Sequence, residues 1–285
     1  MLLTDAIVRH TRGAVRALLL AAWFGVAAIA VVAIETIAAF RGDRGATLRL
    51  ALFHHWSRGA ARIVGLRITR SGEPPRGPFL LVANHLSYLD VIVLGASLRA
   101  TFVAKADVAR WPLLGWLCGA VGTVFIDRTR KRDLLRVLPI LERRLGAGGG
   151  VVVFPEGTTS DGSGVLPFRS PLFATAVRSG APAYAATLTY ETPHDAPHPS
   201  DAVCWWGDAE FLPHLLGLLR LEESTARVTF GRHPIADTER KRLARTTRSE
   251  IAGRFVPVRR GERECPPVTC PQPRTSTSFA RGSSC

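Results

Sequence analysis

The sequence lacks the cysteine pattern of a disulfide-stapled or metal-held fold. Its five cysteines, Cys118, Cys204, Cys265, Cys270 and Cys285, form no C-x-x-C pair, and three crowd into the last 21 residues. That spacing argues against a disulfide framework and a zinc site, and it points to a reducing compartment. No metal-ligand spacing occurs elsewhere, no internal repeat is present, and no serine sits in a G-x-S-x-G elbow. Acidic residues are also scarce: 23 Asp and Glu stand against 37 Lys and Arg, for a net charge of +14. Such an excess draws anions. The basic residues are spread along the chain without an aromatic-rich recognition motif, which argues against nucleic acid and leaves anionic lipid or phosphorylated substrates.

Hydrophobic residues make up 47% of the 285, enough for one large domain with appendages. The apolar supply is concentrated first at the amino terminus. Ala17 to Ile34 is an 18-residue stretch without charge or proline. As a helix it is about 27 Å long, close to the ~30 Å of a bilayer core. Arg9, Arg12 and Arg16 precede it, and Arg41, Arg44 and Arg49 follow, so the positive-inside rule selects no orientation. Ala28-Ile29-Ala30 resembles a leader cleavage site, the rival reading of the same stretch. Leu48–Ile68 is expected to form an amphipathic helix on the membrane surface, with Leu52, Trp56, Ile63 and Val64 on one face. An ordinary core-facing helix fits the same pattern.

Ser71–Pro78 is a linker by composition. Three segments are therefore expected: membrane-anchoring helices over 1–70, a catalytic body over 71–258, and a disordered tail over 259–285. Within the body, apolar runs at 79–83, 101–104, 121–126, 151–154, 182–189 and 227–230 read as strands. Stretches 90–98, 131–145, 170–179 and 240–255 read as helices, the second with a stripe of Leu134, Leu135, Leu138 and Leu141. The alternation predicts an α/β fold: a mostly parallel mixed sheet flanked by helices, with the amino-terminal membrane-associated helical segment appended.

Chemistry-bearing residues follow the strands. Asn84-His85-Leu86-Ser87-Tyr88-Leu89-Asp90 places a histidine and a carboxylate five residues apart, just after Phe79–Ala83. On one helix they would lie about 140° apart. They meet only if His85 sits in a turn and Asp90 reaches back from the first helical turn. That contact would fix one imidazole tautomer and stabilise its charged form. A turn histidine bonded to local backbone is the plainer alternative. Gly122–Arg128 ends a strand with Asp127-Arg128, and Arg128 offers a charged fork to a phosphate. Phe154-Pro155-Glu156-Gly157-Thr158-Thr159-Ser160 leaves another strand. There Gly157 allows close backbone approach, Thr158, Thr159 and Ser160 bring hydroxyls, and Glu156 can accept a hydrogen bond from an acceptor's hydroxyl or position an arginine. Arg169 adds a cation a few residues on.

In this order, over residues 50 to 190, these motifs resemble the glycerolipid acyltransferases related to bacterial 1-acyl-glycerol-3-phosphate acyltransferase. The fourth family segment, centred on proline, corresponds to Gly180-Ala181-Pro182-Ala183-Tyr184. The resemblance implies that His85 is a general base oriented by Asp90. It implies acceptor binding by Arg128, Glu156, Gly157, Thr158 and Thr159, with Asn84, Lys105 and Arg169 as further substrate contacts. The donor would be acyl-CoA or acyl-carrier protein, the acceptor a membrane lipid, with no metal or cofactor. The setting would be the inner membrane, with the catalytic part facing the cytoplasm, since an exported chain would lose its cytosolic thioesters. The product implied is phosphatidic acid. Thr159 stands where many such enzymes have arginine, and the Thr-Thr-Ser-Asp-Gly run resembles members that acylate lyso-ornithine lipid. A non-catalytic binder of anionic lipid and a thioesterase remain as alternatives.

Overall fold

The computed structural model describes residues 2–41, 45–111, 114–130 and 132–258. The tail beginning at Arg259, expected to be disordered, lies outside the described residues, as do Arg44 and Lys131. Helices α1 (Leu2–Arg41) and α2 (Gly45–Ile63) lead into strands β1 (Leu66–Ser71) and β2 (Phe79–Ala83). Then come α3 (Leu89–Ser97), β3 (Thr101–Lys105), α4 (Leu114–Ala120), β4 (Val124–Ile126), α5 (Asp133–Gly146) and β5 (Gly150–Val153). The chain continues through α6 (Ala174–Ser179), β6 (Ala183–Glu191), α7 (Pro199–Ala202), α8 (Phe211–Arg220), β7 (Ser224–Phe230) and α9 (Arg240–Arg254).

The strands form one mixed sheet in the order β1-β7-β6-β2-β5-β3-β4. β6, β2, β5, β3 and β4 run parallel, while β7 pairs antiparallel to β6 and carries β1 with it. The expected sheet, mostly parallel and flanked by helices, is the one found. β2 and β5 are uncharged and buried at every residue, as strands covered on both faces must be. Alternation divides their side chains. Leu81 and Ala83 face a core shared with α3 and α8, and Leu80 and Val82 face a core shared with α5, α6 and α9. The helix after β2 thus covers one face and the helix after β5 the other. Neighbouring parallel strands whose connections part in this way open a crevice at their carboxyl ends. His85 follows β2 there, and Glu156 follows β5.

Several elements differ from the expectation. The apolar stretch 17–34 is the middle of a much longer helix, α1. That helix is long and apolar enough to cross a membrane by length and composition. The helix expected over 48–68 stops at Ile63, because Gly65 adopts φ +74° and turns the chain into edge strand β1. Leu66-Arg67-Ile68-Thr69 alternates like a half-exposed strand, a pattern that short arginine-rich segments share with helix ends. One face of α2 packs on α3, as the core-facing alternative for this helix requires. Phe53 and Ser57 press on Gly95 of α3 so closely that a Cβ there would lie 2.6 Å from each. The strand expected over 121–126 shrinks to Val124–Ile126, since Gly122 turns at φ +90°. In α5 the buried row is Val137, Leu141 and Leu145, one turn apart, while Leu135 is 74% exposed. The segment expected as one helix over 170–179 begins with a 3-10 turn, Pro171–Phe173.

Asn84 closes the join between β2 and β6 beyond their backbone register. Its side-chain amide donates to the Leu188 carbonyl (2.9 Å), and its carbonyl accepts from the Leu188 N–H (2.8 Å). The residue is fully buried, so both Leu188 groups depend on it. Asn84→Ala is expected to cost about 2–5 kcal/mol by orphaning two buried backbone groups. Urea unfolding in mild detergent checks this, and an unchanged midpoint would contradict it.

Candidate functional site

The turn between β2 and α3 is built around the Asp90 carboxylate. Asp90 is fully buried, at 0% exposure, in the first turn of α3. Its Oδ2 accepts from the backbone N–H groups of Leu86 (2.7 Å) and Ser87 (3.0 Å) and lies 2.7 Å from His85 Nδ1. Its Oδ1 accepts from the Tyr190 hydroxyl at 2.6 Å. A group ringed by donors is an acceptor only, so Nδ1 carries the ring proton and Nε2 keeps its lone pair. Nε2 has no hydrogen-bond partner among the described residues, and the His85 side chain is 18% exposed. The imidazole is therefore anchored at one nitrogen and open at the other.

Other contacts fix the ring's plane and backbone. It stacks on Phe154 at the end of β5, with centroids 4.1 Å apart and planes at 17°. Glu156 Oε1 accepts from the His85 N–H at 3.3 Å, and the His85 carbonyl accepts from the Ser160 N–H at 3.0 Å. The next carbonyl, that of Leu86, accepts from the Trp205 N–H at 2.9 Å. Glu156 is itself buried, and its Oε2 has no well-formed hydrogen bond among the described residues. Burial first, then the neighbouring Asp90 charge, pushes its carboxyl up to about 8. At neutral pH it is a protonated group behind the histidine.

Beside this turn lies a pair of arginines. Arg128, half-buried, donates to the Gly157 carbonyl. Arg169 packs over Gly157, where φ is +80° and a Cβ would come within 3.2 Å of its Nε. Neither guanidinium forms a salt bridge among the described residues. Burial, and then the like charge of Arg169, pulls the Arg128 pKa down. An anion between them would offset both the burial and the repulsion. Thr158 is exposed at the rim and Thr159 half-buried. Lys105, at the carboxyl end of β3, is exposed and paired with Asp107 at 2.5 Å.

A family model described as Acyltransferase matches residues 66–189. A lyso-ornithine lipid O-acyltransferase of Brucella abortus (strain 2308) is 38% identical over 71% of this chain and 80% of its own length. The chain belongs to the acyltransferase family. A 1-acyl-sn-glycerol-3-phosphate acyltransferase of Neisseria meningitidis is 36% identical, over 60% of this chain and 66% of the relative. The 1-acyl-sn-glycerophosphate acyltransferase PlsC of Thermotoga maritima shares the fold at a TM-score of 0.58 and 18% identity, covering 84% of this chain and 96% of PlsC.

In this acyltransferase His85, Asp90, Glu156, Gly157, Thr158, Arg128 and Arg169 share one rim of the sheet. Two predicted site residues sit differently from their expectation. Asn84 is spent on Leu188, inside the fold. Glu156 lies behind His85, with no hydrogen bond to either arginine. The proline-centred segment Gly180–Tyr184 opens β6 at the opposite end of the sheet, opposite the start of β2. Its contribution here is to launch the strand that delivers Leu188 and Tyr190. Sequence reasoning missed Tyr190, which stands 100 residues from Asp90 and carries no motif. It also missed Phe154 as the stacking surface, although Phe154 opens a motif already singled out.

Glu156 makes stability depend on pH. An unfolded glutamate ionises near 4.5, whereas the folded group holds its proton to about 8. Between those values the folded state binds more protons, so stability falls as pH rises across the window. Glu156→Gln removes that loss. Thermal melts of variant and wild type should converge near pH 4, and at pH 8.5 the variant should be more stable by on the order of a few kcal/mol. A wild-type advantage at pH 8.5 would contradict the burial argument.

Proposed function

We propose that this protein is a membrane-bound O-acyltransferase that moves an acyl chain from acyl-CoA or acyl-carrier protein to the hydroxyl of 1-acyl-glycerol-3-phosphate, giving phosphatidic acid. One observation carries the reading: an imidazole held through Nδ1 by a buried carboxylate, with Nε2 at the rim and unpartnered among the described residues. Nε2 takes the proton of the acceptor hydroxyl as its oxygen attacks the thioester carbonyl. The new C–O bond forms, the C–S bond breaks, and the departing thiolate recovers the proton from the imidazolium. Asp90 stabilises that transient cation. No acyl-enzyme is required. Ser87 and Ser160 turn their hydroxyls toward backbone, and burial drives the Cys204 thiol well above its ordinary range. The mechanism uses no metal, cofactor or nucleic acid.

Arg128 and Arg169 hold the acceptor's phosphate, with the exposed Thr158 and the adjoining Thr159 beside them. Gly157 leaves room for it, and Glu156 acts through the His85 backbone. Lys105 supplies a further charge for the donor's phosphates. The thioester donors place the catalytic body on the cytoplasmic side of the inner membrane, with α1 in the lipid.

A second reading keeps this chemistry and takes lyso-ornithine lipid as acceptor, whose carboxylate would occupy the arginine pair. Thr159 in place of a third cation and the naming of the Brucella relative favour it. Parallel assays with labelled donor and either lysophosphatidate or lyso-ornithine lipid separate the two readings. Faster turnover of lyso-ornithine lipid would displace the first.

His85→Ala should lower transfer by about 10² to 10⁴ or more while the circular dichroism spectrum stays unchanged. A folded variant with full activity refutes the base. Tyr190→Phe removes one charge-assisted bond from Asp90, worth about 1.5–3 kcal/mol. Its kcat should fall with little change in acceptor KM, because the buried hydroxyl donates to the carboxylate behind the histidine. A rise confined to KM would contradict that role.

A further inference from the structure

The end of the sheet opposite the catalytic rim holds a second concave place. β1 runs against β2, so the connection between them lies at the amino end of β2. The start of α2, the exit from α3 and the glycine turn from α5 into β5 meet it there. Between them is a cavity of about 600 Å³, within the ~300–1,000 Å³ of small-molecule sites. Phe79 and Gly150, the paired first residues of β2 and β5, border it. His85 and Glu156 follow the far ends of those strands, about 15 Å away at ~3.3 Å per residue. The cavity is therefore separate from the catalytic crevice.

Its lining has a chemical bias. Arg70 at the end of β1, Arg76 in the β1–β2 connection and Arg99 after α3 all border it. All three are exposed, and none forms a salt bridge among the described residues. Among those residues Glu73 is the one acidic side chain of the lining, so three cations face one anion. Arg99 suits the carboxyl end of the α3 dipole, and Arg70 blunts an edge strand. Neither use calls for three guanidiniums around one hollow, where they repel one another. The remaining wall is of two kinds. Pro74, Pro75 and Leu98 present apolar surface, and Gly148-Gly149-Gly150 presents backbone without side chains. That turn is glycine for a reason at Gly149 and Gly150. A Cβ would come within 2.9 Å of the Arg144 carbonyl at the first and 2.1 Å of the Phe79 ring at the second.

Guanidiniums grip phosphate oxygens through paired N–H donors, and an apolar wall suits the organic group attached to the phosphate. We propose that this cavity is a second ligand site, which takes a phosphate-bearing organic molecule among Arg70, Arg76 and Arg99. A soluble phosphate ester and a lipid head group both offer that chemistry. The site stands apart from the proposed acyl transfer and does not rest on it.

Isothermal titration of the full chain in detergent micelles tests it without turnover. Arg128→Gln combined with Arg169→Gln first removes the arginine pair of the catalytic rim, so that phosphate held there is not counted. One arm titrates ADP as a soluble ester. The other uses phosphatidic acid carried in phosphatidylcholine nanodiscs. Saturable binding at one site per chain is expected in one arm. Adding Arg70→Gln with Arg76→Gln should weaken it about tenfold or more, with Tm unchanged because both side chains are exposed. Arg70→Lys with Arg76→Lys should restore part of the loss, since the charge returns without the fork. Loss of binding confined to the ADP arm names a soluble ester as the ligand, and loss confined to the nanodisc arm names a head group. No saturable binding in either arm, or equal affinity with arginine and with glutamine at 70 and 76, overturns the proposal.

Discussion

A carboxylate that never meets solvent organises this molecule. An ion of that kind is expensive to bury, and it survives only when donors replace the water it has lost. Asp90 has four: two backbone N–H groups of its own turn, the ring of His85 and the hydroxyl of Tyr190. Because all four must converge, the turn after β2 has one conformation and the imidazole one orientation. β6 must also arrive at a height that brings Tyr190 to Oδ1, and the Asn84–Leu188 clip sets that height. The sheet's central join and the histidine's pose are therefore parts of one electrostatic arrangement.

The rest of the rim follows from the same crevice. β5 ends beside β2, so its loop supplies the floor under the histidine through Phe154 and the brace behind it through Glu156. One residue further on, Gly157 lets the backbone come close enough for Arg128 to bind its carbonyl and for Arg169 to lie across it. Two guanidiniums that form no salt bridge among the described residues thus stand next to an imidazole whose Nε2 has no hydrogen-bond partner among them, which is the arrangement the proposed acceptor, with its anion and hydroxyl, would use.

Much of this was legible in the chain because short-range rules governed it. β2 and β5 are uninterrupted apolar runs closed by motif residues, and runs of that length between turn signals are buried strands. A His85–Asp90 contact was legible because five-residue spacing permits it only across a turn into a helix. The features that escaped were set by distance or by environment. Tyr190 reaches Asp90 only through the β2–β6 pairing. The first half of β1, Leu66–Ile68, read as a helix end because an edge strand with arginines along it has no long apolar run. Glu156, expected to accept a hydrogen bond from the acceptor's hydroxyl or to position an arginine, is buried behind His85, since local sequence does not reveal what packs above a charge. Leu135 entered the apolar stripe of α5 by spacing, yet the sheet lies along the row of Val137, Leu141 and Leu145.

The central claim concerns where one proton resides. Nitrogen-15 NMR of the histidine-labelled protein in micelles, with the His85 signals assigned by difference from His85→Gln, reads it directly. The account predicts a neutral ring protonated at Nδ1, with a downfield proton from the bond to Asp90 and an unprotonated Nε2. A ring protonated at Nε2 instead, or an Nδ1 proton exchanging as freely as that of an exposed histidine, would contradict it.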